Sequence, residues 1–135
     1  MHQIHIATME NKEAIAKIWR KESAMLGALY MGALKERIEK GAVHIAVSGN
    51  NILGFVEYRK RRDGMSVVYH IAVEQTARGQ GVGQALLNSL SLPIRLKVTS
   101  DNTQAIRFYE RYGMERVAED SASTGRKLYV YERLK

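Results

Sequence analysis

A run of seven residues rich in Val, Ile and Tyr, Val67-Val68-Tyr69-His70-Ile71-Ala72-Val73, is followed by Arg78-Gly79-Gln80-Gly81-Val82-Gly83-Gln84. No other stretch limits the fold as much. The first part reads as a buried or half-buried strand, because β-branched and aromatic side chains pack well on a pleated surface. Glycines at 79, 81 and 83 read as a tight turn opening a short helix, in which Val82, Leu86 and Leu90 recur at i, i+4 and i+8 as one apolar stripe. A glycine-flanked helix start exposes backbone N–H groups and the positive end of the helix dipole, so the expected guest is a phosphate or pyrophosphate.

Three phosphate loops compete for this stretch. A P-loop needs Gly-Lys-Ser/Thr, which is absent. The dinucleotide fingerprint needs a third glycine where this chain has Gln84, although Asp101 stands about 20 residues on, where that fingerprint places its acidic ribose partner. The third pattern, Arg/Gln-x-x-Gly-x-Gly/Ala after a strand, is met by Arg78, Gly81 and Gly83 behind Ile71-Ala72-Val73. In this the chain resembles the acyl-CoA-binding motif of the GNAT superfamily of N-acetyltransferases. A second motif, Asn102, Ala105 and then Phe108-Tyr109-Glu110-x-x-Gly113-Met114, is similar to that family's Asn-x-x-Ala-x-x-x-Tyr-Glu-x-x-Gly-Phe.

The rest of the chain supplies a sheet for these motifs. His2 to Ala7 alternates as a first strand, and Thr8 to Asn11 offers capping groups for an amphipathic helix over about residues 10–22, with Ala14, Ile15, Ile18 and Trp19 on its apolar face. The small, Met-rich stretch Ser23–Leu34 suits adaptable packing of a helix pair or the rim of a pocket. A second helix closes near Lys40-Gly41, Gly41 being suited to a left-handed cap. Ala42–Ser48 and Ile52–Arg59 flank a hairpin turn at Gly49-Asn50-Asn51. The basic turn Lys60-Arg61-Arg62-Asp63-Gly64 leads into the central strand, so strands two to four are expected to run antiparallel. Pro93 starts a strand Ile94–Val98. Thr99 to Asn102 caps a helix whose Ala105, Phe108, Tyr109 and Tyr112 share a face, and Gly113 ends it. Glu115–Glu119 and Lys127–Arg133 read as a last hairpin across Ser121–Gly125.

The order β, α, α, β, β, β, α, β, α, β, β is an α/β pattern around a single mixed, mostly antiparallel central sheet flanked by helices. It agrees with the GNAT-like fold along nearly the whole chain. One departure is that the segment between Gly83 and Asn102 is shorter than the family pattern by about two helical turns, which shortens the third helix. Packing on that face and the usual quaternary contacts are thereby left open, as a monomer or a homodimer.

With 135 residues the chain is expected to form one domain, 1–135, around one core. The absence of cysteine removes disulfides, zinc-thiolate sites and a cysteine nucleophile, and no metal site is expected. No apolar run approaches the ~20 residues of a membrane span, and Met1 to His5 carries no signal-peptide core, so a cytoplasmic location is expected. A net charge of +7 suits a polyanion such as CoA, and equally nucleic acid or an acidic protein surface.

The resemblance implies an N-acetyltransferase that moves an acetyl group from acetyl-CoA to a primary amine of a small molecule or protein. It implies that the backbone of Ile71, Ala72 and Val73 pairs with the pantetheine arm. Arg78, Gly79, Gln80, Gly81, Val82, Gly83 and Gln84 then surround the pyrophosphate, Asn102 contributes on the CoA side or serves as a plain N-cap, and Tyr109 protonates the leaving thiolate or packs in the core. His70 and Glu57 both stand as candidates for the general base, beside a water chain to solvent. Some relatives carry a catalytic glutamate at the start of the central strand, where this chain has Val67. Two other classes stay in view: a basic nucleic-acid or protein-binding module using Arg59-Lys60-Arg61-Arg62, and a dinucleotide-binding domain.

Overall fold

The computed structural model describes residues 2–21 and 31–135, and of the Met-rich stretch the part at 23–30 lies outside the described residues. The elements are β1 (Gln3–Ile6), α1 (Lys12–Lys21), α2 (Met31–Glu39), β2 (Val43–Ser48), β3 (Asn51–Lys60) and β4 (Ser66–Val73). They continue with α3 (Val82–Asn88), β5 (Ile94–Thr99), α4 (Thr103–Arg111), β6 (Glu115–Ser121) and β7 (Lys127–Arg133). The strands form a seven-stranded sheet in the order β1-β2-β3-β4-β5-β7-β6. It is mixed: β2 runs antiparallel to β1 and β3, β4 parallel to β5, and β7 antiparallel to β5 and β6. Among the described residues, four helices with this sheet make the expected α/β fold. At seven residues α3 is two turns long, as the short spacing between the two motifs requires. No helix among the described residues is long and apolar enough to cross a membrane.

Two compact units divide the chain. The first comprises residues up to Tyr58 together with His70–Leu90, the second Arg59–Tyr69 with Ser91–Lys135.

In the first unit, one apolar cluster joins Ile15, Ile18 and Trp19 of α1, Leu34 and Ile38 of α2, and Val43, Ile45 and Phe55 of the strands. Ala14, expected on the inner face, is exposed, and Ala16 is buried instead. Trp19 stacks on Phe55 with ring centroids 5.8 Å apart, a contact worth about 0.5–1.5 kcal/mol beyond its buried area. Gly41, at φ 71°, ends α2 in the left-handed conformation, with its N–H donating to the Ile38 carbonyl at 3.0 Å. Of the expected stripe, Val82 and Leu86 lie in α3 and Leu90 two residues past its end, because the helix stops at Asn88; all three are buried. Just beyond α3, Ser89 Oγ donates to the Leu86 carbonyl at 2.6 Å and therefore accepts from Nδ1–H of His44 in β2 at 2.8 Å. His44 Nε2 is then left to accept from the Tyr58 hydroxyl at 3.2 Å, which fixes the neutral Nδ1–H tautomer.

In the second unit, β4 ladders with β5 over Ser66–Val68, the first three residues of β4. The side-chain oxygen of Asn102 caps α4 by accepting from the Ala105 N–H at 3.2 Å, so the N-cap reading of Asn102 holds geometrically. Tyr109, Tyr112 and Met114 bury the inner side of α4 and its exit, and Tyr131 donates to Glu110 at 2.9 Å. The run of cations before β4 is partly neutralised. Arg61 is ion-paired with Asp63 at 2.6 Å and Lys60 contacts Ser91 Oγ, so the turn is less open than four consecutive cations imply.

Candidate active site

Gly79 and Gly81 have φ of 80° and 79°, and an added Cβ on either would meet no atom within 4 Å. Only glycine adopts this backbone readily, and here it leaves the peptide planes bare. Gly81 is the N-cap of α3 and makes no side-chain cap. The first intrahelical bond is from the Ala85 N–H to the Gly81 carbonyl at 3.0 Å, so the N–H groups of Val82, Gly83 and Gln84 precede it and have no helical acceptor. Arg78 turns back, its Nε donating to the Val73 carbonyl at 3.3 Å, and the Gln80 amide reaches the Thr76 carbonyl at 3.4 Å. These two side chains close the turn, while the glycine backbone faces outward. The cradle fits a pyrophosphate: it offers donors, no competing side-chain cap, and room.

His70 and Glu57, candidates considered separately in the sequence, form one unit. Nδ1 of His70 lies 2.6 Å from Glu57 Oε1. The carboxylate is 5% exposed and the imidazole 26%. Arg37 of α2 approaches Glu57 Oε2 at 3.4 Å, and the Trp19 ring lies 4.1 Å from the imidazole centroid. Glu57 is thus a buried carboxylate flanked by a guanidinium and an imidazole, with the histidine as the more accessible partner. A dyad of this kind can move a proton through Nε2 while the carboxylate fixes the ring and its tautomer.

Arg37 and Trp19 were not legible as site residues. A signal existed for Arg37, since Glu57 shares its strand face with Phe55 and a buried carboxylate requires a cation or donors nearby. Which cation was not written in the spacing, because α2 lies twenty residues upstream.

In the second unit Tyr109 is 8% exposed beside Phe108 and Tyr131, and burial pushes its phenol up to about 12. The hydroxyl therefore stays protonated through neutral pH. Asp101, which a dinucleotide reading needs for a ribose, is ion-paired with Arg126 at 3.1 Å.

A family model described as an acetyltransferase (GNAT) domain matches residues 39–116. The chain is similar to the 5-NmdU N-acetyltransferase of Pseudomonas phage PaMx11, at 32% identity over 96 residues, covering 67% of this chain and 69% of that protein. It is also similar to the mycothiol acetyltransferase of Actinosynnema mirum, at 36% identity over 85 residues, covering 56% of this chain and 29% of the relative. In fold it matches the crystal structure of Ard1 from Thermoplasma volcanium with a TM-score of 0.85 at 23% identity, over 98% of this chain and 96% of that one.

Proposed function

The chain belongs to the GNAT acetyltransferase family and is an acyl-CoA N-acetyltransferase, and on that premise we propose that it acetylates a primary amine from acetyl-CoA by direct attack. The observation that carries this reading is the open cradle at Gly79 and Gly81, bare of side chains and capped by none. Its N–H groups hold the pyrophosphate. Ile71, Ala72 and Val73, past the residues of β4 that ladder with β5, lend their backbone to the pantetheine arm. The acceptor is an amine of the class borne by 5-NmdU, because the phage relative matches over 69% of its length against 29% for the mycothiol enzyme.

Each proton has an assigned place. The His70 imidazole, oriented by Glu57, accepts the proton lost from the attacking nitrogen as the N–C bond forms. A backbone amide near Val73 polarises the thioester carbonyl, and the C–S bond breaks as Tyr109 donates to the departing sulfur. Asn102 keeps its oxygen on the α4 cap and offers its amide NH₂ on the CoA side. Much of the rate comes from holding amine and thioester in attack geometry.

A thermal-shift titration with acetyl-CoA, NAD and ATP in parallel tests the reading, since a ligand that binds only the native state raises apparent stability. Acetyl-CoA alone is expected to shift the wild type, and Gly81→Val to abolish the shift by filling the cradle and straining a left-handed backbone. A shift by NAD instead, or an undiminished acetyl-CoA shift in the variant, removes the assignment.

A further inference from the structure

The positive charge of this protein is concentrated and sorted. Thirteen of the 21 Lys and Arg and seven of the 14 Asp and Glu belong to the second unit, which thus carries +6 of the net +7. Five of its seven carboxylates are ion-paired, to Arg61, Arg95, Lys97, Arg126 and Lys127. A sixth, Glu110, accepts from Tyr131. The cations without a carboxylate partner among the described residues therefore set the field of this unit.

Strand register shows where they lie. Ser66, Ile94 and Arg133 stand on one rung of β4, β5 and β7, and Glu115 of β6 faces Glu132 on the next. That end of the sheet carries Arg59 near the close of β3, Arg62 in the turn before Ser66, Arg116 as the second residue of β6, Arg133 at the close of β7 and Lys135 two residues past it, against the single carboxylate of Glu115 at the start of β6. Arg111, the last residue of α4, joins them, since Arg133 stacks at 4.5 Å over Tyr112, which follows it. At the opposite end, around the β6–β7 turn, Lys97, Arg126 and Lys127 are each tied to a carboxylate. The two ends of six-residue β5 are about 17 Å apart, more than the ~10 Å Debye length at 0.1 M salt, so the neutral end does not cancel the basic one.

We propose that this basic end of the second unit is a docking surface for the phosphate backbone of a nucleic acid. Five of the six cations are arginines, whose guanidinium forks take phosphate oxygens in pairs. Two of them stand over rings, Arg133 Cζ 4.5 Å from the Tyr112 centroid and Arg116 Cζ 4.3 Å from that of Tyr129, cation–π contacts that restrict these side chains before any partner arrives. Four adjacent strand ends span about 14 Å, the length of about four nucleotides of one strand. Arg78 and the glycine cradle belong to the first unit and take no part. The inference stands on the sorting of charge and is independent of the acetyl-transfer reading.

Anisotropy of a labelled 20-nucleotide DNA, single-stranded and duplex, measured with the full-length protein across 25–200 mM NaCl, tests it. Binding is expected to weaken linearly in log salt, with a slope of about −3 to −4 for the single strand. Arg59→Ser/Arg62→Ser/Arg116→Ser is expected to flatten that slope by about 2 and weaken binding at 50 mM NaCl at least tenfold, while Lys97→Ser/Asp120→Ser leaves both unchanged. The acetyl-CoA thermal shift of the triple variant, expected at the wild-type value, shows that it is folded. No binding at 25 mM NaCl, an unchanged slope in the triple variant, or equally tight binding of a labelled poly-glutamate would each overturn the proposal, the last in favour of an acidic protein. DNA binding without any acetyl-CoA shift would leave this surface standing and remove the transfer reading.

Discussion

Tyr109 and His70, the proposed acid and base, sit in unlike environments. Burial holds the phenol near 12, so it can only donate, whereas the imidazole is partly open and has its Nδ1 committed to Glu57. Donation from so weak an acid is favourable only as charge builds on the sulfur, so removing the hydroxyl should affect the chemical step and spare binding. Tyr109→Phe keeps the ring and its contacts with Phe108 and Tyr131. Turnover is expected to fall about 10²–10⁴-fold with acetyl-CoA affinity within twofold of wild type. His70→Gln, measured alongside, is expected to cost as much in turnover but to be partly rescued at high pH, where the acceptor amine sheds its proton unaided. A Tyr109→Phe enzyme at the wild-type rate would show that the phenol is only a packing residue, and so would a variant that fails to fold.

At the scale of elements, β3 sets how closely β4 and α3 can approach. A Cβ on Gly54 would stand 2.6 Å from the Ala72 carbonyl oxygen, 3.2 Å from Val73 Cα and 3.3 Å from a Leu86 methyl. The first of these is a backbone atom and cannot swing away. Gly54→Ala is expected to destabilise by about 1–3 kcal/mol in urea unfolding and to weaken acetyl-CoA binding as well, because the strand it pushes leads into the glycine cradle. Gly41→Ala is the comparison: it strains a left-handed cap at φ 71° that touches nothing, so stability should fall without loss of affinity. Equal affinity in both variants would show that the approach at Gly54 does not position the cradle. Most elements were legible in the sequence because their signals are local: the stripe of Val82, Leu86 and Leu90, the turn at Gly49, the Asn102 cap. Gly54 itself carried no such signal, since its constraint comes from a strand eighteen residues on and a helix beyond that. The meeting of Arg37, Trp19, Glu57 and His70 was hidden for the same reason. Periodicity shows which face a residue takes and not which distant residue meets it there.

For the molecule as a whole, pH links one buried group to global stability. His44 is buried between Tyr58 and Ser89, and burial lowers its pKa below the ordinary histidine value of ~6.5. The neutral ring is what this site accommodates, because Nδ1–H already donates to Ser89 and Nε2 already accepts from Tyr58. A proton on Nε2 would face the phenolic hydrogen. The unfolded chain takes up this proton as pH falls below ~6.5 and the folded chain does not until lower pH, so the unfolded state binds more protons in between. Stability from this site is therefore complete above ~6.5 and is lost as pH falls from there towards the lowered folded value. His44→Gln cannot titrate and gives up part of the hydrogen-bonded chain. At pH 7.5 it is expected to be less stable than wild type by about 1–3 kcal/mol, and the gap should narrow steadily as urea unfolding is repeated down to pH 5. A gap that stays constant across that range would mean that His44 is protonated alike in the folded and unfolded chains, and that the order of donors drawn through Tyr58, His44 and Ser89 is wrong.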